Sequence, residues 1–298
     1  MTGSHIRTVL LQWSGFSLFS LALMLPAYVG AQDTREFRDV IYATVGGKTL
    51  GLDLYMPAGV KSPPLLVWVH GGTWSRGTKA NIPKQLTVQG FAVASVDFRQ
   101  STDARFPAMI HDIKAAIRFL RANRDIYHYR ADRIAISGLS SGGHLAALVG
   151  VTNGEKQMEG TVGDYLTQSS SVQAIVDYYG ASNLTTILAQ STPFGLNVRR
   201  PALELLLGAL PDSALELAKV ASPVFHVDRL DPPLLLLHGD QDPQMPINQA
   251  NELQGAYEKL GLDVTFEVIH GAGHGGEAFV APDRLASVMK FLCRTIGR

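Results

Sequence analysis

The chain has 298 residues, with 26 Lys+Arg against 26 Asp+Glu and a formal net charge of zero. That length suits one large α/β domain or two small ones, and balanced charge without a basic run excludes an electrostatic track for nucleic acid. Hydrophobic residues make up 46%, enough for a substantial core, and a single cysteine excludes an intramolecular disulfide.

The first segment has its own pattern. MTGSHIR carries Arg7 and no acid, an apolar stretch runs to Val29, and Val29-Gly30-Ala31 supplies small residues at the −3 and −1 positions of a cut before Gln32. This order predicts a cleavable signal peptide over residues 1–31. An uncut membrane anchor is the competing reading, and the Pro26 break and the cleavage site favour removal. The expected location is therefore secreted or periplasmic, with no stable membrane association after removal. Cys293 lies in an apolar helical pattern, which predicts a buried, inert thiol.

Residues 32–298 read as one catalytic domain. Phe37 to Val45 and Thr49 to Met56, flanking Gly46-Gly47, predict an antiparallel hairpin. Short apolar runs at 65–69, 91–96, 133–137 and 234–237 suit strands buried on both faces of a parallel sheet. Between them Ile110, Ile113, Ile117 and Leu120 recur at helical spacing, as do Leu285, Val288, Met289 and Leu292. This alternation predicts a doubly wound α/β sheet. Residues 152–230 are less regular, and a lid insertion of short helices is expected within 181–210.

Gly138-Leu139-Ser140-Ser141-Gly142 is G-x-S-x-G, preceded by a predicted strand and followed by a predicted helix. In that setting the motif is a nucleophile elbow, with Ser140 on a turn too sharp for side chains two residues away. Ser141 fails as the centre, since Leu139 would be one flank. Its role would be to offer its backbone N–H to an oxyanion. A serine needs a base held by a third group, and in this architecture the acid and then the histidine follow it along the chain. Asp240 and Asp242 follow one strand, and His270 and His274 follow the next. Asp242 and His274 are the expected partners: Asp242 is deeper in its loop, and glycines let His274 approach the serine. Asp240 is expected to cap its own turn and His270 to be structural.

After the 65–69 strand comes HGGTW. Gly71 and Gly72 would bring backbone N–H groups to a developing oxyanion, and His70 would brace the loop. Thr73, Trp74, Tyr179, Phe194 and Met245 are candidate pocket walls. No residue pattern has metal-ligand spacing, so neither metal nor cofactor is expected.

The segments LDLYMP, LLVWVHGGTWSRGTKA, FAVASVDFRQ, RIAISGLSSGGHLAAL, DPPLLLLHGDQDPQMP and GAGHGG, with others between them, span nearly all of residues 32–298. Together they resemble secreted bacterial α/β-hydrolase esterases of the hormone-sensitive-lipase-like group, most closely feruloyl and acetylxylan esterases. The resemblance implies a metal-free serine carboxylesterase with Ser140, Asp242 and His274 as triad, acting on small-molecule or carbohydrate-linked esters of short or aromatic acids. Thr73 stands where the common HGGG loop has its third glycine. Kynurenine formamidase is similar too, so an arylformamidase or other amidase is an alternative on the same residues. A prolyl-oligopeptidase-like peptidase shares the triad order but usually carries a gating domain, for which about 267 residues after the signal leave no room. An inactive binding domain would be expected to have lost a triad member, and a dehalogenase would carry a carboxylate at 140.

Overall fold

The structure is a computed structural model that describes Met1 and residues 35–297. Apart from Met1, the predicted signal segment lies outside the described residues. The domain opens with β1 (Arg35–Val45) and β2 (Lys48–Met56), joined by the Gly46-Gly47 turn, then β3 (Pro64–Val69) and β4 (Ala92–Val96). Helices α1 (Ala108–Ala122) and α2 (Arg124–Tyr127) lead to β5 (Arg130–Leu139) and α3 (Ser141–Val151). After α4 (Lys156–Glu159) and β6 (Ala174–Tyr178), the irregular region contributes α5 (Ile187–Gln190), α6 (Pro193–Leu207) and α7 (Leu215–Val220). The chain ends with β7 (Leu234–Gly239), α8 (Asn248–Leu260), β8 (Val264–Ile269) and α9 (Pro282–Thr295).

The strands form one eight-stranded sheet in the order β1-β2-β4-β3-β5-β6-β7-β8. β1, β2 and β4 pair antiparallel, and from β4 to β8 every pair is parallel. The apolar runs are strands because both faces are covered. Along β3, Leu65, Val67 and Val69 join the core beneath α1 and α3, while Leu66 and Trp68 join a second core with Phe291 and Leu292 of α9. This is the period-two alternation of a strand with no solvent face. The stripe Ile110, Ile113, Ile117 and Leu120 is fully buried. Its polar neighbours are buried too, and paired: Asp112 with Arg99 at 2.8 Å, Lys114 and Arg118 with Glu159 at 2.9 Å. Cys293 departs from expectation. It packs against the second core but is only partly buried, because α9 turns that position toward the rim.

Strand order fixes where a ligand can sit. The chain passes from β3 to β4 on one side and returns to β5 on the other. Such a reversal leaves a crevice at the C-terminal ends of the strands. The loops after β3, β5, β6, β7 and β8 all emerge on that edge.

Candidate active site

Register brings the loops together. Val69 pairs with Gly138, Leu139 with Tyr178 and Gly239 with Ile269. The loop after β3 therefore starts beside the turn carrying Ser140, Tyr179 follows on its other side, and the 240–245 and 270–276 loops share one end of the sheet.

Ser140 has φ 54° and ψ −122°, left-handed backbone that L side chains rarely adopt. Such strain costs on the order of 1–3 kcal/mol and persists only where surroundings hold it. Here the Ser140 N–H donates to Tyr178 O at 2.8 Å, and the His144 N–H donates back to Ser140 O at 3.0 Å. The flanking glycines are required by contact: a Cβ on Gly138 would lie 2.3 Å from Gly142 O, and one on Gly142 would lie 2.2 Å from Val69 O. Ser141 is the first residue of α3, where backbone N–H groups have no helical acceptor.

Ser140 Oγ lies 2.9 Å from His274 Nε2, and His274 Nδ1 lies 2.6 Å from Asp242 Oδ2. Because Asp242 accepts at Nδ1, that nitrogen carries the proton and Nε2 keeps a lone pair for the serine hydroxyl. The Asp242 side chain is fully buried, and its Oδ1 accepts the N–H groups of Gln244 and Met245, each at 2.8 Å. Burial opposes its charge, but hydrogen bonds from His238, His274 and the Met245 N–H outweigh burial and hold the carboxyl well below the usual carboxylate range. The arrangement can hold an imidazole in one tautomer and stabilise its protonated form.

Two supports of this carboxylate were not legible beforehand. His238, at the end of an all-leucine run, is fully buried, with Nε2 3.0 Å from Met245 O and 3.5 Å from Asp242 Oδ2. Arg199 of α6, also fully buried, donates from Nε to Gln244 O at 3.1 Å and so ties this helix to the acid's loop. Burial lowers the Arg199 guanidinium to about 10, against the opposing pull of Asp242. Only the lone histidine in an apolar strand carries any sequence signal.

Asp240 and His270 form a separate pair at 2.8 Å, with the histidine largely in solvent. Asp240 also accepts the Gly271 N–H at 2.8 Å, so it bridges to the neighbouring turn instead of capping its own.

In the HGGTW loop, His70 is buried, donates from Nδ1 to Gly71 O at 2.8 Å and stacks on Phe98 at 4.5 Å. Burial lowers its pKa, so it stays neutral and braces the loop. Gly72 has φ 127°, and a Cβ there would lie 2.0 Å from Arg76 O. Gly71 faces Leu139 and the Ser140 Cβ. Thr73 and Trp74 also have positive φ, 55° and 59°.

A cleft of about 240 Å3 at Ser140 is lined by Gly72, Thr73, Tyr179, Gln244 and His274, among others. Tyr179 packs edge-on to His274 at 4.7 Å. Leu139 and Tyr179 are shared with a more enclosed apolar cavity of about 160 Å3, whose walls include Leu86, Tyr178, Phe279 and Val280. Of the expected walls, Tyr179 and Thr73 line the cleft, although the Thr73 hydroxyl is taken by Gly72 O at 2.7 Å. Trp74 does not. The positive φ at 73 and 74 turns its ring inward, where Nε1 donates to His144 Nδ1 at 2.9 Å. Met245 is fully buried in the main core, serving Asp242 through its backbone. Phe194, in the first turn of α6, is 54% exposed and lines neither cavity. Among the described residues, no three His, Cys, Asp or Glu side chains are grouped to hold a metal ion.

A mostly parallel eight-stranded sheet, with a strained serine turn after β5 and a histidine loop after β8, defines the α/β-hydrolase class. Within that class the family model described as BD-FAE matches residues 52–257, and the chain belongs to this family. Esterase LipC of Mycobacterium tuberculosis is 30% identical over 258 residues, 84% of this chain and 63% of LipC. The chain thus spans less than two thirds of that relative. Among solved structures, a truncated carbohydrate esterase from gut microbiota superimposes with a TM-score of 0.80 at 30% identity, covering 90% of this chain and 98% of that one. A bifunctional GH43-CE protein of Bacteroides eggerthii gives a TM-score of 0.76 at 33% identity, over 87% of this chain and 35% of that one.

Proposed function

We propose that this chain is a serine carboxylesterase acting through Ser140, His274 and Asp242. The carrying observation is the continuous hydrogen-bonded line from Ser140 Oγ through His274 to Asp242, at 2.9 and 2.6 Å. Ser140 Oγ attacks the ester carbonyl while His274 Nε2 takes its proton. Asp242 holds the ring and stabilises the imidazolium. N–H groups of Gly71, Gly72 and Ser141 receive the oxyanion. His274 then protonates the leaving alcohol, and water, deprotonated by the same nitrogen, releases the acid and restores Ser140.

The apolar cavity is the acyl site. At about 160 Å3 it is close to the engineered cavity of about 150 Å3 that takes one benzene. Acetyl to butyryl groups fit, and one aromatic ring, as in a ferulate, fills it. Resemblance to a carbohydrate esterase supports a sugar-linked alcohol. The signal-like start of the sequence supports action outside the cytoplasm.

A panel of p-nitrophenyl esters of rising chain length, methyl ferulate, acetylated xylan and N-formylkynurenine tests this, with Ser140→Ala as blank. Turnover of the short or aromatic esters by the wild type alone is expected. Preference for N-formylkynurenine would make the protein an amidase.

A further inference from the structure

A second opening leaves the reaction cleft in another direction. A groove of about 600 Å3 runs along the loop after β3, with Gly72, Arg76, Asn81, Pro83 and Leu139 among its walls. It shares Gly72, Arg76 and Leu139 with the cleft at Ser140. It is more open than the apolar cavity, so the two suit different arms of an ester. A short acyl group ends inside the enclosed cavity. The alcohol arm, which continues into solvent when it belongs to a larger molecule, takes the groove.

The groove presents side-chain donors without acceptors. Arg76 is exposed, and its guanidinium makes no hydrogen bond or ion pair among the described residues. Its backbone is nonetheless fixed, because the Ser75 and Arg76 N–H groups both donate to Gly72 O at 3.1 Å. Asn81 accepts the Thr78 N–H through Oδ1 at 2.9 Å, which leaves its amide NH2 free to donate. Among the described residues no carboxylate lines the groove or the cleft, and Arg76 is the only Lys or Arg in either wall. An unpaired planar fork beside a free amide donor, facing no acid, matches a carboxylate.

Resting on the esterase reading, we propose that this groove is a subsite for a carboxylate-bearing leaving group, with Arg76 as the residue that selects it. The test is a matched pair of acetate esters, 3-acetoxybenzoate and its neutral analogue 3-acetoxybenzamide, with p-nitrophenyl acetate as reference. The readout is the ratio of kcat/KM for acid over amide, in wild type, Arg76→Gln and Arg76→Lys. In low salt the wild type favours the acid by about fivefold, the worth of one partly exposed charge pair. The preference resides in KM, shrinks in high salt, falls to about one in Arg76→Gln and returns only in part in Arg76→Lys, which keeps the charge but not the planar fork. A wild-type ratio at or below one, or an unchanged ratio in Arg76→Gln, overturns the subsite while leaving the esterase reading intact. Failure of the wild type to turn over even p-nitrophenyl acetate removes the esterase reading and this proposal with it.

Discussion

His274 and Asp242 meet at 2.6 Å across 32 residues of chain, while the neighbouring His270 and Asp240 form a look-alike pair at 2.8 Å on the surface. Only the buried pair reaches Ser140. Asp242→Asn would reverse the tautomer that leaves Nε2 free to accept, and His274→Ala would remove the base. The aspartate change is expected to lower kcat by about 10^4 and loss of the histidine by about 10^6. Asp240→Asn and His270→Ala should change kcat by less than about twofold, since this pair lies at the surface, makes no contact with Ser140 and is screened by solvent. Steady-state kinetics on p-nitrophenyl acetate separates the pairs, and equal losses at 240 and 242 would leave the acid unassigned.

Ser140→Ala should abolish turnover and the burst of released p-nitrophenol that marks acyl-enzyme formation. Ser141→Ala should keep most activity, because the group needed there is its backbone N–H. A dead Ser141→Ala beside an active Ser140→Ala would move the nucleophile.

The sheet was legible because its central strands are buried on both faces, and uninterrupted runs such as LLVWV and LLLL have few other uses. The residues that meet around Ser140 were legible because chain order and strand ends restrict them to a few loops. The walls of the pocket were not. Trp74 looked available for a substrate until the backbone at 73 and 74 was known, and nothing in T-W announces two left-handed residues in a row. Phe279 and Val280 come from the turn beyond His274, and which way that turn folds is decided by its packing on Tyr179, 4.7 Å from Phe279. Arg76 was likewise hidden, since a lone arginine in a loop has no pattern.

Trp74→Phe tests the inward placement. The His144 Nδ1 would lose its donor while the ring stays buried, with Nε2 still 2.7 Å from Ala221 O. Leaving one buried acceptor unpaired costs about 1–3 kcal/mol. The midpoint of chemical denaturation should fall accordingly, with KM for short esters essentially unchanged. A large rise in KM without loss of stability would return Trp74 to the pocket.

Asp177, buried under α3, gives a pH signature. Its Oδ1 accepts the Gly180 N–H at 2.8 Å, yet burial raises the carboxyl to about 7, against His238 and that hydrogen bond. In the unfolded chain the proton leaves near 3.9. Between these values the folded state holds a proton that the unfolded state has released, so stability falls as pH rises through the window and stays lower above it. Asp177→Asn removes this cost, on the order of a few kcal/mol at pH 8. The difference in Tm, variant minus wild type, should grow between pH 4 and pH 8. Asp242, whose depressed pKa gives stability that is lost on acidification instead, cancels in that difference. A gap that does not grow as pH rises would mean that Asp177 is ionised in the folded protein throughout.

Acyl length tests the size of the apolar cavity. At about 160 Å3, with Leu86 2% exposed at its wall, it has no room for a long chain. A palmitoyl group would leave most of its methylenes in water or force the 276–280 turn outward. At about 0.8 kcal/mol for each methylene left unburied, the benefit of extra length ends once the cavity is full. The specificity constant kcat/KM should therefore peak at or below butyrate and fall at least about tenfold by palmitate, equivalent to 1.4 kcal/mol of lost transition-state binding. Leu86→Ala removes several heavy atoms from the wall. It should move the peak toward longer acyl chains, at a stability cost of about 2–5 kcal/mol for a buried leucine. The measurement is kcat/KM across acetate, butyrate, hexanoate, octanoate and palmitate esters for both proteins. An unmoved peak in Leu86→Ala would show that the acyl group lies elsewhere, and a wild-type rate that climbs steadily to palmitate at an oil–water interface would make the protein a lipase.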